Sequence, residues 1–290
     1  MADQPHQVLL PLEDTRPTAP RQTIGGSSVS YTPARSILTE STGFMDGYDY
    51  TLNPYSGCTF GCSYCYAAFF VRDKAQQDTW GQWVRVKDNA LELLQRWRKK
   101  PLHGKTIYMS SVTDPYQPLE RDLLLTRSLL EELANYHKPR LVIQTRSQLV
   151  VRDLDLLQRF GSVQVNMTVT TDDEAVRKAF EPHCSSIPAR LKAIADIQAA
   201  GVATCITMTP LLPVADATSF AERLLATGVE KFVVQPFHPE RGKFVAGTRD
   251  EALALCRERG WTAARYREVL AVLRQQLPQL AEGKDGFAPI

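Results

Sequence analysis

Apolar residues recur along this chain in two alternating textures. Short runs rich in β-branched and aromatic types predict buried strands at 48–55 ("YDYTLNPY"), 105–112 ("KTIYMSSV"), 140–146 ("RLVIQTR"), 162–171 ("SVQVNMTVTT"), 202–212 ("VATCITMTPLL") and 230–237 ("EKFVVQPF"). Between and after them, helical spacing predicts helices over 88–100, 121–138, 151–160, 187–201, 217–228 and 261–278. Asp88 is placed to cap the first of these, whose basic residues fall at its C-terminal end, and Gly201 stops the fourth. Repeated strand-then-helix units imply an α/β fold, a parallel sheet with right-handed crossovers. Six units are two short of a closed eight-stranded barrel. The expectation is a partial (β/α)6 TIM-type barrel, with a doubly wound sheet as the alternative; in both, chemistry sits at the C-terminal ends of the strands.

Outside that alternation, residues 1–45 are rich in Pro, Ser, Thr and Gly with little periodicity and read as an extended N-terminal arm, partly ordered against the body. The barrel core is expected over 46–238, and 239–290 as a loop and C-terminal helical segment packing on it. Of the 290 residues, 43% are hydrophobic and 23% charged, which suits a globular chain without disulfide staples. The net charge of +2 neither favours nor excludes a nucleic-acid partner, since only local patches matter there. The N-terminus lacks a signal-peptide pattern and no window is apolar enough to span a membrane, so a cytoplasmic location with reduced thiols is expected.

One stretch carries candidate chemistry. "NPYSGCTFGCSYCYAAFF" (53–70) holds Cys58, Cys62 and Cys65, spaced C-x3-C-x2-C, half of the chain's six cysteines. Gly57 and Gly61 allow the backbone to curl so that three sulfurs converge. Structural zinc takes four ligands, whereas three thiolates on a four-iron cube leave one iron free for an exchangeable ligand. Zinc with a distant fourth ligand and a plain electron-carrier cluster are the alternatives. Cys184, Cys205 and Cys256 stand alone in the sequence and are expected to be buried small apolar residues.

The cysteine loop after the first strand of a six-fold β/α pattern, with Tyr64 at the aromatic position before the third cysteine, resembles the radical S-adenosylmethionine (SAM) superfamily. The segments "SSVTDPYQPLE" (110–120), "IQTRSQLVVRDLDLL" (143–157), "FEPHCSSIPARLKAI" (180–194) and "AGVATCITMTPLLP" (200–213) are similar to its spore photoproduct lyase-like branch. The resemblance implies a [4Fe–4S] cluster on Cys58, Cys62 and Cys65, with SAM as the fourth ligand. It implies reductive cleavage of SAM to a 5′-deoxyadenosyl radical that abstracts hydrogen from a substrate. An external one-electron reductant of flavodoxin or ferredoxin type is implied as partner.

The same resemblance assigns SAM contacts to Tyr64, to Ser110, Ser111, Thr113 and Asp114 after the second strand, to Arg146 after the third, and to Thr168, Arg190 and Thr209. Plainer roles compete: Asp114 before Pro115 begins a turn, Arg146 makes a surface ion pair, Thr168 favours a pleated surface, and Glu181 pairs with Arg190 structurally. Gln235 and His238 close the sixth strand, with His238 expected as a turn residue. Tyr64 and Tyr66 match a tyrosine pair that the lyase uses, with a cysteine, to return hydrogen to the product radical. Residues 66–183 contain no cysteine, and Ser110 or Ser111 stands where that donor falls. A serine O–H is too strong to give its hydrogen readily, so a different lesion, substrate or terminating step is expected.

For the substrate, a nucleic acid is the first expectation, a peptide or small molecule the second, and a non-catalytic metal-bearing nucleic-acid-binding module the third. Basic clusters at Arg96–Lys105 and at Arg241, Lys243 and Arg249 offer phosphate contacts if they are free. Trp80, Trp83 and Tyr116 offer an aromatic ledge if they are not core.

Overall fold

The computed structural model describes residues 20–240 and 247–290. Seven parallel strands form the main sheet: β1 (Tyr50–Leu52), β2 (Thr106–Met109), β3 (Arg140–Thr145), β4 (Val163–Thr168), β5 (Ala203–Met208), β6 (Phe232–Val234) and β7 (Leu280–Glu282). They pair in strict sequence order, and the short strand Leu38–Glu40 adds an antiparallel edge to β1. A doubly wound sheet reverses its order at a switch point. An unreversed order with right-handed crossovers places every helix on one face, as in a barrel wall. The sheet is open, as the partial-barrel expectation requires, but it has one strand more than the six expected. β7 is three residues long, too short to show a period.

Alternation along the strands decides which side each residue serves. Ile107, Met109, Leu141, Ile143, Val165, Met167, Ile206 and Met208 join the main core, packed with Leu129 and Leu130, with Ile194 and Ile197, and with Phe220 and Leu273 of the surrounding helices. The intervening residues point to the other face and are largely polar. Gln144 donates to Thr168 Oγ1 (2.7 Å) and Thr207 Oγ1 (2.9 Å), and accepts from the Tyr108 hydroxyl at 2.8 Å. That inner face is a satisfied hydrogen-bonded layer.

Helix starts follow local chemistry. Asp173 caps α1 (Glu174–Phe180), Ser186 caps α2 (Ile187–Ala199) and Asp216 caps α3 (Ala217–Leu225), each accepting from backbone N–H groups of the first turn. The helix expected at 88–100 starts one residue late. Asn89, not Asp88, is its N-cap, and the Asn89 amide is committed to Ala34 instead of the helix. The helix expected at 121–138 is broken at Leu124, which adopts φ 51°, so that the Thr126 N–H can reach the buried Glu120 carboxylate at 2.9 Å.

The first predicted strand divides at Pro54, which has no N–H for a ladder. Its first part is β1; its second, Tyr55–Gly57, joins a separate sheet with Trp83–Val86, Ser27–Tyr31 and Thr23–Ile24. Residues 20–45, expected as an arm, therefore supply strands to both sheets. No helix of the described residues is long and apolar enough to cross a membrane.

Candidate radical site

The cysteine loop leaves the small sheet at Gly57 and lies across the C-terminal ends of the parallel strands. Gly57 has φ +78°, and a Cβ there would stand 2.5 Å from the Trp83 ring. Two side chains beyond β2 pin the loop: Thr113 Oγ1 donates to Gly57 O (2.7 Å), and Gln117 Oε1 accepts from Thr59 N (2.7 Å). On its far side the Ser63 N–H donates to Phe180 O at 2.9 Å. Cys58 and Cys62 are buried, and Cys65 is half-buried.

The three sulfurs lie within electrostatic reach of one another. Burial, then Asp114, then Cys62 raise the Cys58 thiol well above its usual range. Desolvation, then Cys62, raise Cys65 to about 11. Cys62 is held down, first by a hydrogen bond from Cys184 and then by Arg146, against its own burial. Arg146 Nη1 donates to Cys62 Sγ at 3.0 Å. Cys184 Sγ is 3.6 Å from Cys62 Sγ. Cys184 is buried as expected, but it is not isolated: the turn after α1 brings it back to the loop across 122 positions, a contact that spacing in the sequence does not encode.

Behind the loop is a buried ionic knot. Glu181 accepts from the Tyr64 hydroxyl, from Thr170 Oγ1 (3.0 Å) and from Arg190 Nη2 (2.5 Å), with Arg146 Nη1 at 3.4 Å. Burial alone would raise the Glu181 carboxyl; Arg190 and then Arg146 outweigh it and hold it at about 2. Glu181 and Arg190 thus pair as the sequence suggested. Arg190 Nε donates to Ser185 O and Nη1 to Thr168 O, and the side chain is fully buried.

The other expected SAM contacts divide into committed and free. Asp114 accepts from Tyr116 N (2.9 Å), Thr145 Oγ1 (2.8 Å) and Arg146 N (2.9 Å), and so fastens the end of β2 to the end of β3. Thr113 clamps the cysteine loop, and Thr168 belongs to the inner polar layer. Ser110 differs. It is buried, has φ 74°, and its hydroxyl meets no partner among the described residues. An orphaned buried hydroxyl on a left-handed residue at a strand end suits a polar ligand. Ser111 accepts from the Tyr66 hydroxyl through its carbonyl and from Asn53 Nδ2 (3.3 Å) through its own hydroxyl. Thr209, past β5, is half-buried at the rim.

The two tyrosines part company. Tyr64 is buried against Phe237 (centroids 6.3 Å), whereas Tyr66 is 46% exposed and meets the 62% exposed Phe70 edge to face at 6.0 Å. Trp80 and Trp83 stack edge to face, but Tyr116 is fully buried elsewhere under Arg152, so the three form no ledge. Beyond β6, Gln235 is fixed by its backbone to Met208 O (3.1 Å), and burial lowers the pKa of the His238 imidazole. Three of the five cations in the basic cluster near residue 100 have acidic partners: Arg96 pairs with Glu92, Arg98 with Glu132 and Lys105 with Asp49. Arg241 and Lys243 lie outside the described residues, and Arg249 stands 3.8 Å from Glu251.

Among the described residues no three His, Cys, Asp or Glu side chains gather tightly enough to hold a single metal ion. A cube takes one ligand per iron, so its ligands stand farther apart than those of a lone zinc. A family model of the radical SAM superfamily matches residues 52–223, from β1 through the cysteine loop to α3. This chain belongs to the radical SAM superfamily. A [4Fe–4S] cluster and S-adenosylmethionine are accordingly its cofactors. The loop's donor set, with an N–H of Arg146 on one sulfur and the free Ser110 hydroxyl nearby, fits such a pair of groups.

The radical SAM chain is similar to an uncharacterized protein of Methanocaldococcus jannaschii, 36% identical over 169 residues, covering 58% of this chain and 62% of that one. It is also similar to a radical SAM Nalpha-GlyT isomerase of Pseudomonas phage M6, 25% identical over 187 residues, covering 63% of this chain and 38% of that one. The chain thus spans less than two thirds of the length of either. In fold it matches spore photoproduct lyase complexed with dinucleoside spore photoproduct, with TM-score 0.57, 16% identity, and coverage of 88% of this chain and 81% of that one.

Proposed function

We propose that this radical SAM enzyme acts on a nucleic acid, abstracting hydrogen from a base or sugar presented at the rim beside Tyr66. The observation that carries the reading is the exposed aromatic pair Tyr66–Phe70, which begins immediately after Cys65. Exposed aromatic faces stack nucleobases, and such stacking is worth about 1–3 kcal/mol per base. The fold shared with a lyase bound to a dinucleoside supports the same reading.

When bound, the cluster and SAM supply an alkyl radical after one electron arrives from an external donor of flavodoxin or ferredoxin type. The chain's part is to hold and to exclude. Cys58, Cys62 and Cys65 ligate three corners. We assign Ser110, Ser111, Arg146 and Thr209 to the SAM space, with the Ser110 hydroxyl free to donate or accept, and Tyr64 to its border through the ring alone, since its hydroxyl is committed to Glu181 and Arg146. Thr113, Asp114, Thr168 and Arg190 support that set from behind, because their polar atoms are already taken. The buried knot of Tyr64, Glu181 and Arg190 keeps water from the inner side of the loop. We assign Tyr66, whose hydroxyl donates to Ser111 O and whose ring lies at the rim, a relay role: it would give its hydroxyl hydrogen atom to the substrate-derived radical and take one back from 5′-deoxyadenosine.

The test is anaerobic reconstitution followed by turnover with dithionite. Deuterated oligonucleotides should pass label into 5′-deoxyadenosine, and Phe70→Ala should weaken oligonucleotide binding by about 5- to 150-fold while leaving the cluster intact. Label from a peptide and none from nucleic acid would overturn the substrate class. Zinc in place of iron and sulfide would overturn the enzyme.

A further inference from the structure

One corner of the cysteine loop is built unlike the others. Cys62 Sγ has two neighbours able to donate to it: Arg146 Nη1 at 3.0 Å and Cys184 Sγ at 3.6 Å. Cys58 and Cys65 instead meet backbone N–H groups of their own loop, at Phe60 and Ala67. Cys184 is also held firmly. Its N–H donates to Glu181 O (3.2 Å), and its carbonyl accepts from the buried Arg177 Nη1 (3.2 Å), which also binds Glu181 O at 2.9 Å. The turn that delivers Glu181 to the ionic knot is therefore the turn that delivers a thiol to Cys62.

We propose that Cys184 is a positioning residue for the cluster, donating its S–H to the ligating sulfur of Cys62 so that this sulfur carries two hydrogen bonds, one from Cys184 and one from Arg146. This rests on the reading that Cys62 is a cluster ligand. Hydrogen bonds to ligating sulfurs and exclusion of solvent set the potential of an iron–sulfur cluster, and groups behind the ligands tune the metal without touching it. A donor on a ligand sulfur stabilises the more negative, reduced cluster more than the oxidised one. Cys184 therefore makes the cluster easier to reduce, which is the step that an external donor must accomplish.

The experiment compares wild type, Cys184→Ala, Cys184→Ser and Cys62→Ala, each reconstituted anaerobically without SAM. Iron and sulfide content and an EPR-monitored redox titration are read. Cys184→Ala should keep a full cluster with its midpoint shifted to more negative potential, and resonance Raman should show the Fe–S(Cys) stretches moved. Cys184→Ser, which keeps a donor in nearly the same space, should recover part of the shift and serves if the alanine variant folds poorly. An unchanged midpoint in both variants overturns the proposal. Loss of the cluster in Cys184→Ala overturns it differently, by making Cys184 a ligand. Full cluster content in Cys62→Ala would instead remove the underlying ligand assignment, a result distinguishable from either.

Discussion

Arg190 Nη2 lies 2.5 Å from Glu181 Oε2, with both side chains fully buried. Removing one partner of such a pair leaves an uncompensated buried charge and costs about 3–5 kcal/mol. Arg190→Met should destabilise by that order in urea unfolding. The pH dependence follows from the carboxyl, which is held at about 2 against an ordinary value of 4.5. A lowered folded value means the stabilisation is complete above 4.5 and is lost as pH falls toward 2. Glu181→Gln should start less stable at neutral pH and lose less across that acid window. Parallel pH profiles for the two proteins would show that Glu181 is not the titrating group.

The cysteine loop makes a second claim testable through Gly57. An added Cβ would stand 2.5 Å from Trp83 Cζ3 and 2.7 Å from the Trp83 carbonyl, at φ +78°. Overpacking and a left-handed L-residue each cost about 1–3 kcal/mol. Gly57→Ala should therefore lower stability by about 2–6 kcal/mol and reduce iron incorporation, although no sulfur is changed. Full iron content with wild-type stability would mean that the loop tolerates another entry angle.

How much of this was readable beforehand depends on the length of each signal. Six of the seven parallel strands are legible as short runs of β-branched and aromatic types with an apolar residue at every second position, and the cysteine spacing lies within eight residues. The small sheet is not, since Tyr55–Gly57 and Trp83–Val86 are three and four residues long and pair across distant sequence. The seven-residue α1 was hidden because it carries Arg177, whose side chain is buried by capping backbone carbonyls and not by apolarity. Cys184 looked solitary because its approach to Cys62 depends on how that helix turns back, which no local pattern records. Among the proposed SAM contacts, residue type alone could not separate the free Ser110 from the committed Asp114: both are polar residues at one strand end, distinguished only by their partners.

Tyr64 and Tyr66 give a third prediction, because they differ in burial by more than their two-residue separation suggests. The Tyr64 hydroxyl donates to Glu181 and accepts from Arg146 at 2.6 Å inside the protein. Losing it leaves buried charged groups short of a partner, a cost of about 1–3 kcal/mol. The Tyr66 hydroxyl meets a carbonyl at the exposed rim, where substitution typically costs within about 0.5 kcal/mol. In urea unfolding, Tyr64→Phe should be the less stable variant, and Tyr66→Phe should match wild type while losing product more than SAM cleavage. The reverse order of stability would contradict the buried knot.

The last prediction concerns the opposite end of the barrel. The turn Gly283–Phe287 after β7 lies on β6, and a Cβ at Gly286 would stand 2.5 Å from Val233 Cγ1 and 2.7 Å from Cγ2. From there the chain crosses to the other edge of the open sheet: Phe287 meets Phe44 at 5.5 Å and Tyr108 at 6.4 Å, and the Tyr48 hydroxyl donates to Ala288 O at 3.3 Å. The C-terminal segment thus spans the gap that an incomplete barrel leaves at its N-terminal mouth. Gly286→Ala should destabilise by about 1–3 kcal/mol through the clash, and Val233→Ala should destabilise by opening a cavity. The double variant should lose less than the sum of the two, with a coupling of about 0.5–3 kcal/mol, because each change relieves the other. Simple additivity in a double-mutant cycle would show that the segment does not rest on β6, and the mouth would then need another cover.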